Sequence, residues 1–158
     1  MTRMYTATFE AVAVTAAQDF FEVNPAANKP CRFVGIFLSQ SSDTGDSAEE
    51  ILRITITRVP ATFTSGSGGS AYTPRLVDAT GAAAGAAVEI NNTTVATTSG
   101  TLEVLKAYQF NIRTGLELWL PPECQFQFVN GAGGVVRLAA APADSLTMSG
   151  TLYFSEEG

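Results

Sequence analysis

Histidine is absent from this chain of 158 residues. Histidine is the commonest general base in enzymes and the commonest metal ligand. Its absence therefore excludes serine–histidine and cysteine–histidine catalytic arrangements and most zinc and iron sites. The glycines of residues 65–70 are not followed by the Gly-Lys-Ser/Thr of a phosphate-binding loop. We therefore expect neither an enzyme nor a bound cofactor.

Charged residues are scarce, and basic ones are scarcer still. Asp, Glu, Lys and Arg make up 15% of the chain, against roughly 25% in ordinary soluble domains. The net charge is −6, and the nine basic residues are scattered singly, so no basic stripe can neutralise phosphates. We therefore exclude direct nucleic-acid binding. A neutral surface rich in Ala, Thr, Ser and Gly favours contacts with partner proteins.

Long apolar runs and cysteines are also few. No stretch approaches the ~20 apolar residues of a membrane span, and residues 1–10 lack the apolar run of an export signal. We therefore expect no membrane partner and a protein that works in solution. Cys31 and Cys124 are expected to be reduced and partly buried. A disulfide between them stays open as an alternative, because sequence spacing does not decide it.

What the sequence does contain is a succession of short alternating segments. In residues 51–59 and 146–154 apolar and polar side chains alternate, which is the pattern of a strand with one buried face. Residues 31–40 are more uniformly apolar, as expected for a central strand covered on both faces. About eight to ten such segments predict a single all-β domain over residues 1–158. The favoured architecture is a jelly-roll-like, two-sheet antiparallel β-sandwich.

Two segments depart from simple alternation. Residues 1–8 are either an N-terminal arm that ties one subunit to the next or the beginning of the first strand. Residues 80–88 (TGAAAGAAV) are the best helix candidate, although two interior glycines weaken it.

The second half of the chain predicts further strands. Residues 101–113 predict a strand that carries its apolar side chains on one face, namely Leu102, Val104, Phe110 and Ile112. The turn sequence at 130–134 (NGAGG) accepts positive φ angles. It therefore predicts a hairpin between residues 125–129 and 135–140.

Two connections are longer than a tight turn, residues 41–50 and residues 61–75, and long loops are often functional. The first is acidic, and its candidates for a calcium site are Asp43, Asp46 and Glu49, because Ca²⁺ takes carboxylate oxygens as ligands. Their spacing does not match an EF-hand. We therefore expect no metal there, and favour a solvated loop or a contact with a basic patch of a partner.

Three further carboxylates, those of Glu103, Glu117 and Glu123, could meet in space as the acid and base of a glycoside hydrolase. Glu103 and Glu117 lie on the polar side of alternating segments, where a solubilising role is the simpler interpretation. We therefore expect no catalytic residue among them.

The edge strands of a sandwich have to be covered, and self-association would cover them. Buried aromatic side chains dominate interface energetics. The aromatic residues expected as interface anchors are Tyr5, Phe63, Tyr72, Trp119 and Tyr153. For Trp119 and Tyr153, packing across a sheet or under a loop is an equal alternative.

Four stretches of the chain resemble small proteins of tailed bacteriophages and prophages. They are GIFLSQSSDTGDSAEEILRITITRV (35–59), TSGSGGSAYTPRLV (64–77), NNTTVATTSGT (91–101) and LAAAPADSLTMSGTLYFSEE (138–157). The resemblance spans residues 5–157. It lies in the amino-acid sequences of these stretches and in their order along the chain, not in a catalytic or metal-binding motif. It points to virion surface proteins, above all to head decoration (cement) proteins of jelly-roll type.

This resemblance implies a structural protein that adds to an assembled capsid, often as a homotrimer, and stabilises the head against internal DNA pressure. Its partners would be the major capsid protein and other copies of itself. It would be made in the host cytoplasm and reside on the capsid surface of the virion. Two alternatives are a tail or baseplate component and a carbohydrate-binding or adhesion module, for which the jelly roll is also a common scaffold.

Overall fold

The computed structural model describes residues 2–42 and 50–158. These residues form twelve β-strands and one 3-10 helix, η1 (Pro122–Cys124), and none of their helices is long and apolar enough to cross a membrane. The strands are β1 (Thr2–Val14), β2 (Gln18–Asn24), β3 (Cys31–Gln40), β4 (Ile51–Val59), β5 (Ser70–Tyr72), β6 (Arg75–Leu76), β7 (Ala87–Asn92), β8 (Glu103–Asn111), β9 (Leu116–Trp119), β10 (Gln127–Phe128), β11 (Gly133–Leu138) and β12 (Leu146–Glu157).

The strands form two antiparallel sheets. Sheet A has the order β10–β3–β12–β1–β6, with β9 also paired to β3, and sheet B has the order β5–β7–β2–β11–β4–β8. The first four strands alternate between the sheets, and the chain crosses again at β5–β6, β6–β7, β8–β9, β10–β11 and β11–β12. Four neighbours in sheet A (β1, β12, β3, β9) therefore pack on four in sheet B (β2, β11, β4, β8), which is a jelly roll. The predicted jelly-roll-like sandwich is confirmed, with β5, β6 and β7 inserted between β4 and β8.

The core lies between the two sheets and is rich in aromatic rings. Along β12, buried and partly exposed positions alternate from Leu146 to Phe154, as period two requires. Tyr5 stacks on Phe154 with 5.7 Å between ring centroids, and Phe9 stacks on Phe20 at 5.5 Å. Each fully buried ring contributes roughly 1.5–3 kcal/mol.

The N-terminal segment is part of sheet A. β1 pairs with β12 from Thr2 opposite Glu157 onward. Residues 2–8 are therefore the beginning of the first strand within this chain, which is the second of the two interpretations of the sequence.

The predicted helix at residues 80–88 is wrong. Residues 78–81 form a turn, and residues 82–86 have no regular structure before β7 begins at Ala87. The backbone N–H groups of Gly85 and Ala86 both donate to the Glu156 carboxylate, at 2.9 Å. The buried Glu156 carboxylate in sheet A thus accepts hydrogen bonds from backbone N–H groups that a helix would have used internally. The two glycines also lower the helical propensity of this segment.

β8 is present, but the predicted single apolar face is wrong. Its register against β4 shifts so that Leu105 has no partner in the ladder, and such a bulge reverses the alternation of side chains. Phe110 and Ile112 face the core, whereas Val104 is 60% exposed.

The predicted hairpin around residues 130–134 is confirmed only at its turn, where Val129 and Ala132 form an antiparallel bridge and Gly131 has a φ of 75°; the predicted pairing of the two strands is wrong. β10, before the turn, pairs with β3 in sheet A, and β11, after it, pairs with β2 and β4 in sheet B. The turn therefore connects sheet A to sheet B. Phe128 and Val136, on either side of it, reach the core from opposite sheets.

Candidate functional site

Three aromatic side chains meet on the outer face of sheet A. Trp119 on β9 lies 4.9 Å from Phe37 on β3 and 5.2 Å from Tyr153 on β12, between ring centroids. Phe37 and Tyr153 contact each other edge-on at 5.6 Å. We call these three residues the aromatic cluster. It unites Trp119 and Tyr153, two of the expected interface anchors, with Phe37, which the sequence interpretation had placed in a strand covered on both faces.

Gly35 creates the space that the cluster occupies. In the register of sheet A, Gly35 lies opposite Trp119 on one side and Tyr153 on the other. A Cβ at Gly35 would lie 2.6 Å from Cε3 and 2.7 Å from Cζ3 of Trp119, so the indole ring lies over the glycine. Trp119 is nevertheless 51% exposed. The Trp119 ring is thus held in place by its neighbours, and about half of its surface is available to a ligand.

An open groove of about 520 Å³ lies beside the aromatic cluster and runs from β9 to β1. Phe37 is in its lining. The other described lining residues are mostly polar or glycine, namely Thr8, Glu10, Ser39, Thr114, Gly115, Glu117, Ser149, Gly150 and Thr151, with Phe9, Leu38 and Leu116 beneath them. This volume is within the roughly 300–1,000 Å³ of small-molecule sites. We call it the sheet A groove.

Three of the expected interface anchors do not join the aromatic cluster. Tyr5 has no accessible surface, and its hydroxyl donates to the Ala82 carbonyl at 2.8 Å, so it is a core residue that has no surface for a partner. Phe63 is partly buried and packs on a small apolar cluster outside sheet B. Tyr72, on β5, packs against the main core.

The edge of sheet B is a second exposed surface. β8 pairs with β4 on one side only and is nine residues long, whereas the other edge strands of the described chain have two to four residues. Among the described residues, seven large apolar side chains are exposed, and four of them lie on or beside β8, namely Ile51, Leu102, Val104 and Tyr108. An open groove of about 410 Å³ lies alongside, lined by Leu102 and Val104. We call this surface the β8 edge; no local sequence pattern could reveal it, because pairing partners decide which strand is an edge.

The long connection at residues 61–75 folds over the outer face of sheet B. Thr64 bridges Thr97 and Ser67 bridges Thr94, so residues 61–69 and 93–100 form a two-stranded cover that we call the flap. It explains why β2 is buried on both faces.

Two buried carboxylates of β2 hold the flap. Asp19 accepts two hydrogen bonds from the Arg137 guanidinium, at 2.5 and 3.0 Å, and a third from the backbone N–H of Ala96 at 2.7 Å. Glu22 accepts from the Ser65 hydroxyl at 2.5 Å and from the Gly66 N–H at 3.0 Å. Burial is the main cause that raises the pKa of Glu22 above its ordinary value; its hydrogen bonds oppose the rise, and Asp19 adds to it.

The other predicted site carboxylates do not come together. Glu103 is on β8 of sheet B, where it pairs with Arg58 at 2.8 Å, and Glu117 is on β9 of sheet A. Glu123 lies in η1. Within residues 2–42 and 50–158, no three His, Cys, Asp or Glu side chains are grouped as a metal site would need. The calcium candidates Asp43, Asp46 and Glu49 lie outside the described residues.

Both cysteines are free thiols in the fold. Cys31 is fully buried, and burial, aided by Glu156 and Glu157, raises its pKa to about 12. Cys124 is exposed, which corrects the expectation that both would be partly buried. Its position in η1, directly after the proline pair that ends β9, leaves it at the surface.

Comparison with known proteins brings no relative: no family model, curated protein or solved structure matches this chain. The ligands of the aromatic cluster and of the β8 edge therefore have to be inferred from the residues that form them.

Proposed function

We propose that this protein is a structural virion protein, a capsid decoration protein that associates with copies of itself and binds the assembled major-capsid lattice. The observation that carries the proposal is the β8 edge. The resemblance of residues 5–157 to phage virion surface proteins supports the head as the place of action.

An unpaired strand of nine residues presents a row of backbone N–H and C=O groups to any extended segment. Natural sheets protect such edges with charges, prolines or short strands. β8 has no proline, and its Glu103 is engaged by Arg58, so Lys106 and the bulge at Leu105 are the protections that this long edge has. Val104 is exposed towards the beginning of β8, and Tyr108 and Ile51 are exposed towards its end, so apolar area that favours burial against a protein is present at both ends of the strand. The β8 edge is therefore suited to a neighbouring subunit.

Self-association would multiply any contact with a capsid. A ring of copies, such as the expected homotrimer, presents each lattice contact several times, and the avidity can exceed a single contact by a factor of about 10²–10⁴. Modest individual contacts on a neutral surface are then sufficient. No catalytic group is required for this role.

The test is co-sedimentation with purified heads of the phage or prophage that encodes the protein. We expect saturable pelleting with heads and a higher temperature of head disruption when the protein is bound. Protein that stays in the supernatant with intact heads would overturn the proposal. Pelleting with purified tails, and not with heads, would replace it by a tail or baseplate role.

The β8 edge is tested separately by Val104→Lys, which puts a charge on an exposed position of the edge. We expect a monomer in analytical ultracentrifugation and head binding weakened by at least about tenfold, since about 1.4 kcal/mol of lost contact gives that factor. Val77→Lys is the matched control, because Val77 is similarly exposed at 58% but follows β6 in sheet A. Equal behaviour of the two variants would show that β8 is not the contact.

A further inference from the structure

We infer that Trp119 and the sheet A groove form a binding site for a neutral saccharide. This site lies on the sheet opposite the β8 edge, and the inference does not depend on capsid attachment. Three properties of the described residues carry it: a fixed and half-exposed ring, a row of oriented hydroxyl groups, and two carboxylates without partners.

The ring is held before any ligand arrives. Phe37 and Tyr153 contact Trp119 from two sides, and Gly35 gives it its seat on the sheet. A side chain fixed in this way loses little conformational entropy on binding. The C–H face of a pyranose ring is flat and apolar, and it stacks on an exposed indole in the same way as other apolar rings do. Trp119 does not itself line the groove, but it contacts Phe37, which does, and it lies two residues along β9 from Glu117 of the lining. Its exposed half offers this platform next to the groove.

The groove supplies hydrogen-bonding groups in the cross-strand row next to that of Trp119. Glu117, Phe37, Thr151 and Thr8 form one cross-strand row over β9, β3, β12 and β1. The Thr8 and Thr151 hydroxyl oxygens lie 3.4 Å apart. Ser149 accepts from the Ala11 N–H at 3.0 Å, so its own hydroxyl proton remains to be donated. These groups are oriented by the sheet and can still bind the hydroxyls of a sugar.

The charge of the groove selects the class of ligand. Its two carboxylates, those of Glu10 and Glu117, make no hydrogen bond or ion pair among the described residues. The described lining contains no lysine or arginine. Like charges across a site disfavour binding, so phosphate, sulfated and sialylated ligands are disfavoured. A carboxylate accepts strong hydrogen bonds from neighbouring sugar hydroxyls, which is what a neutral oligosaccharide offers.

A basic peptide is the competing occupant, since it would also satisfy the two carboxylates. A basic peptide, however, has no row of hydroxyl groups to pair with the hydroxyls of Thr8, Thr151 and Ser149. A saccharide uses the ring, the hydroxyls and the carboxylates together. The observations therefore favour the saccharide.

The experiment uses Trp119 as its own probe, because it is the only tryptophan in the chain. Neutral oligosaccharides built from glucose, galactose, mannose and N-acetylglucosamine are titrated while Trp119 emission is followed, and binding is confirmed by calorimetry. We expect at least one of them to give a saturable change in the micromolar to millimolar range. Sulfated or sialylated forms of the same sugar should bind more weakly.

Two variants locate the site. Glu117→Gln keeps the fold and should weaken binding about tenfold, and Trp119→Ala, measured by calorimetry, should weaken it by at least as much. The matched controls are on sheet B and should bind like the unchanged protein: Glu103→Gln makes the same change at another glutamate, and Tyr108→Ala removes another exposed aromatic ring. Thermal unfolding of each variant checks that it is folded.

Three outcomes would overturn the inference: no saturable change with any neutral oligosaccharide, equal loss of binding in the sheet B controls, or binding of basic peptides such as oligolysine in place of sugars. None of these outcomes depends on whether the protein binds capsids. Val104→Lys should bind the saccharide normally, whereas Glu117→Gln should bind heads normally.

Discussion

Replacement of Gly35 by alanine tests the geometry of the aromatic cluster. The new Cβ would lie 2.6 Å from Cε3 of Trp119, and the indole ring has to move outward by about 1 Å to regain an ordinary contact of ~3.5–4.0 Å. Such a shift weakens the contacts with Phe37 at 4.9 Å and Tyr153 at 5.2 Å, and a full swing of the ring away from the sheet removes both. Trp119 is half exposed, so the ring can swing into solvent and the fold survives.

The magnitude follows from these two ring pairs. Each aromatic pair contributes about 0.5–1.5 kcal/mol beyond buried area, so their loss costs about 2 kcal/mol. Alanine in a strand interior recovers about 0.5–1 kcal/mol relative to glycine. We therefore expect Gly35→Ala to lower the free energy of unfolding by about 1 kcal/mol and to shift Trp119 emission to longer wavelength.

A double-mutant cycle isolates the effect. In a Trp119→Ala background the clash is absent, so Gly35→Ala should be neutral or stabilising, which gives a coupling of about 2 kcal/mol between the positions. Urea unfolding, followed by circular dichroism for the variants without tryptophan, measures it. Gly100→Ala is the control, since its nearest neighbour is the Cβ of Ala61 at 3.3 Å and a surface change should stay within about 0.5 kcal/mol. Unchanged emission together with no coupling would refute the position of the ring over Gly35.

Three further predictions concern the buried groups. Because the pKa of Glu22 is raised from 4.5, the stability that this carboxyl group contributes is fully present below pH 4.5 and is lost as pH rises through the folded-state pKa. In thermal melts, Glu22→Gln should therefore gain stability relative to the unchanged protein as pH rises above 4.5, and a constant difference would contradict this. Asp19→Ala leaves Arg137 without its partner and should cost about 3–5 kcal/mol in urea unfolding; a cost below about 1 kcal/mol would show that the pair is not buried. A thiol reagent at pH 8 should modify Cys124 alone in the native protein and Cys31 only after denaturation, whereas no reaction in the native state would indicate a disulfide.

Much of the fold follows from local patterns. The alternation in β4 and β12 and the paired prolines after β9 are properties of neighbouring residues, and they suffice to predict short strands and a sandwich. The candidate site was found in part, because Trp119 and Tyr153 were singled out as aromatic side chains on strand positions. Phe37 was missed, since its outer position matters only when β9 and β12 flank β3.

The errors share one physical origin, which is that tertiary partners outweigh local preference. Glu156, 71 residues further along the chain, accepts a hydrogen bond from the Gly85 N–H, and residues 80–88 therefore do not form the predicted helix. The bulge at Leu105 turns Val104 outward, although the local pattern placed it with Phe110. In both places a contact made across many residues decides the conformation.

By itself, the sequence determined that this protein is an all-β domain without histidine chemistry, because composition and period-two alternation are local properties of the chain. Only the tertiary structure decided which surfaces are offered to partners. Trp119 lies over Gly35, a residue 84 positions earlier, because β9 pairs with β3. β8 is an edge because no further strand of the described chain pairs with it. Strand pairing is non-local: periodicity restricts the register of a pair, because one face has to be buried, but it does not say which strands become neighbours.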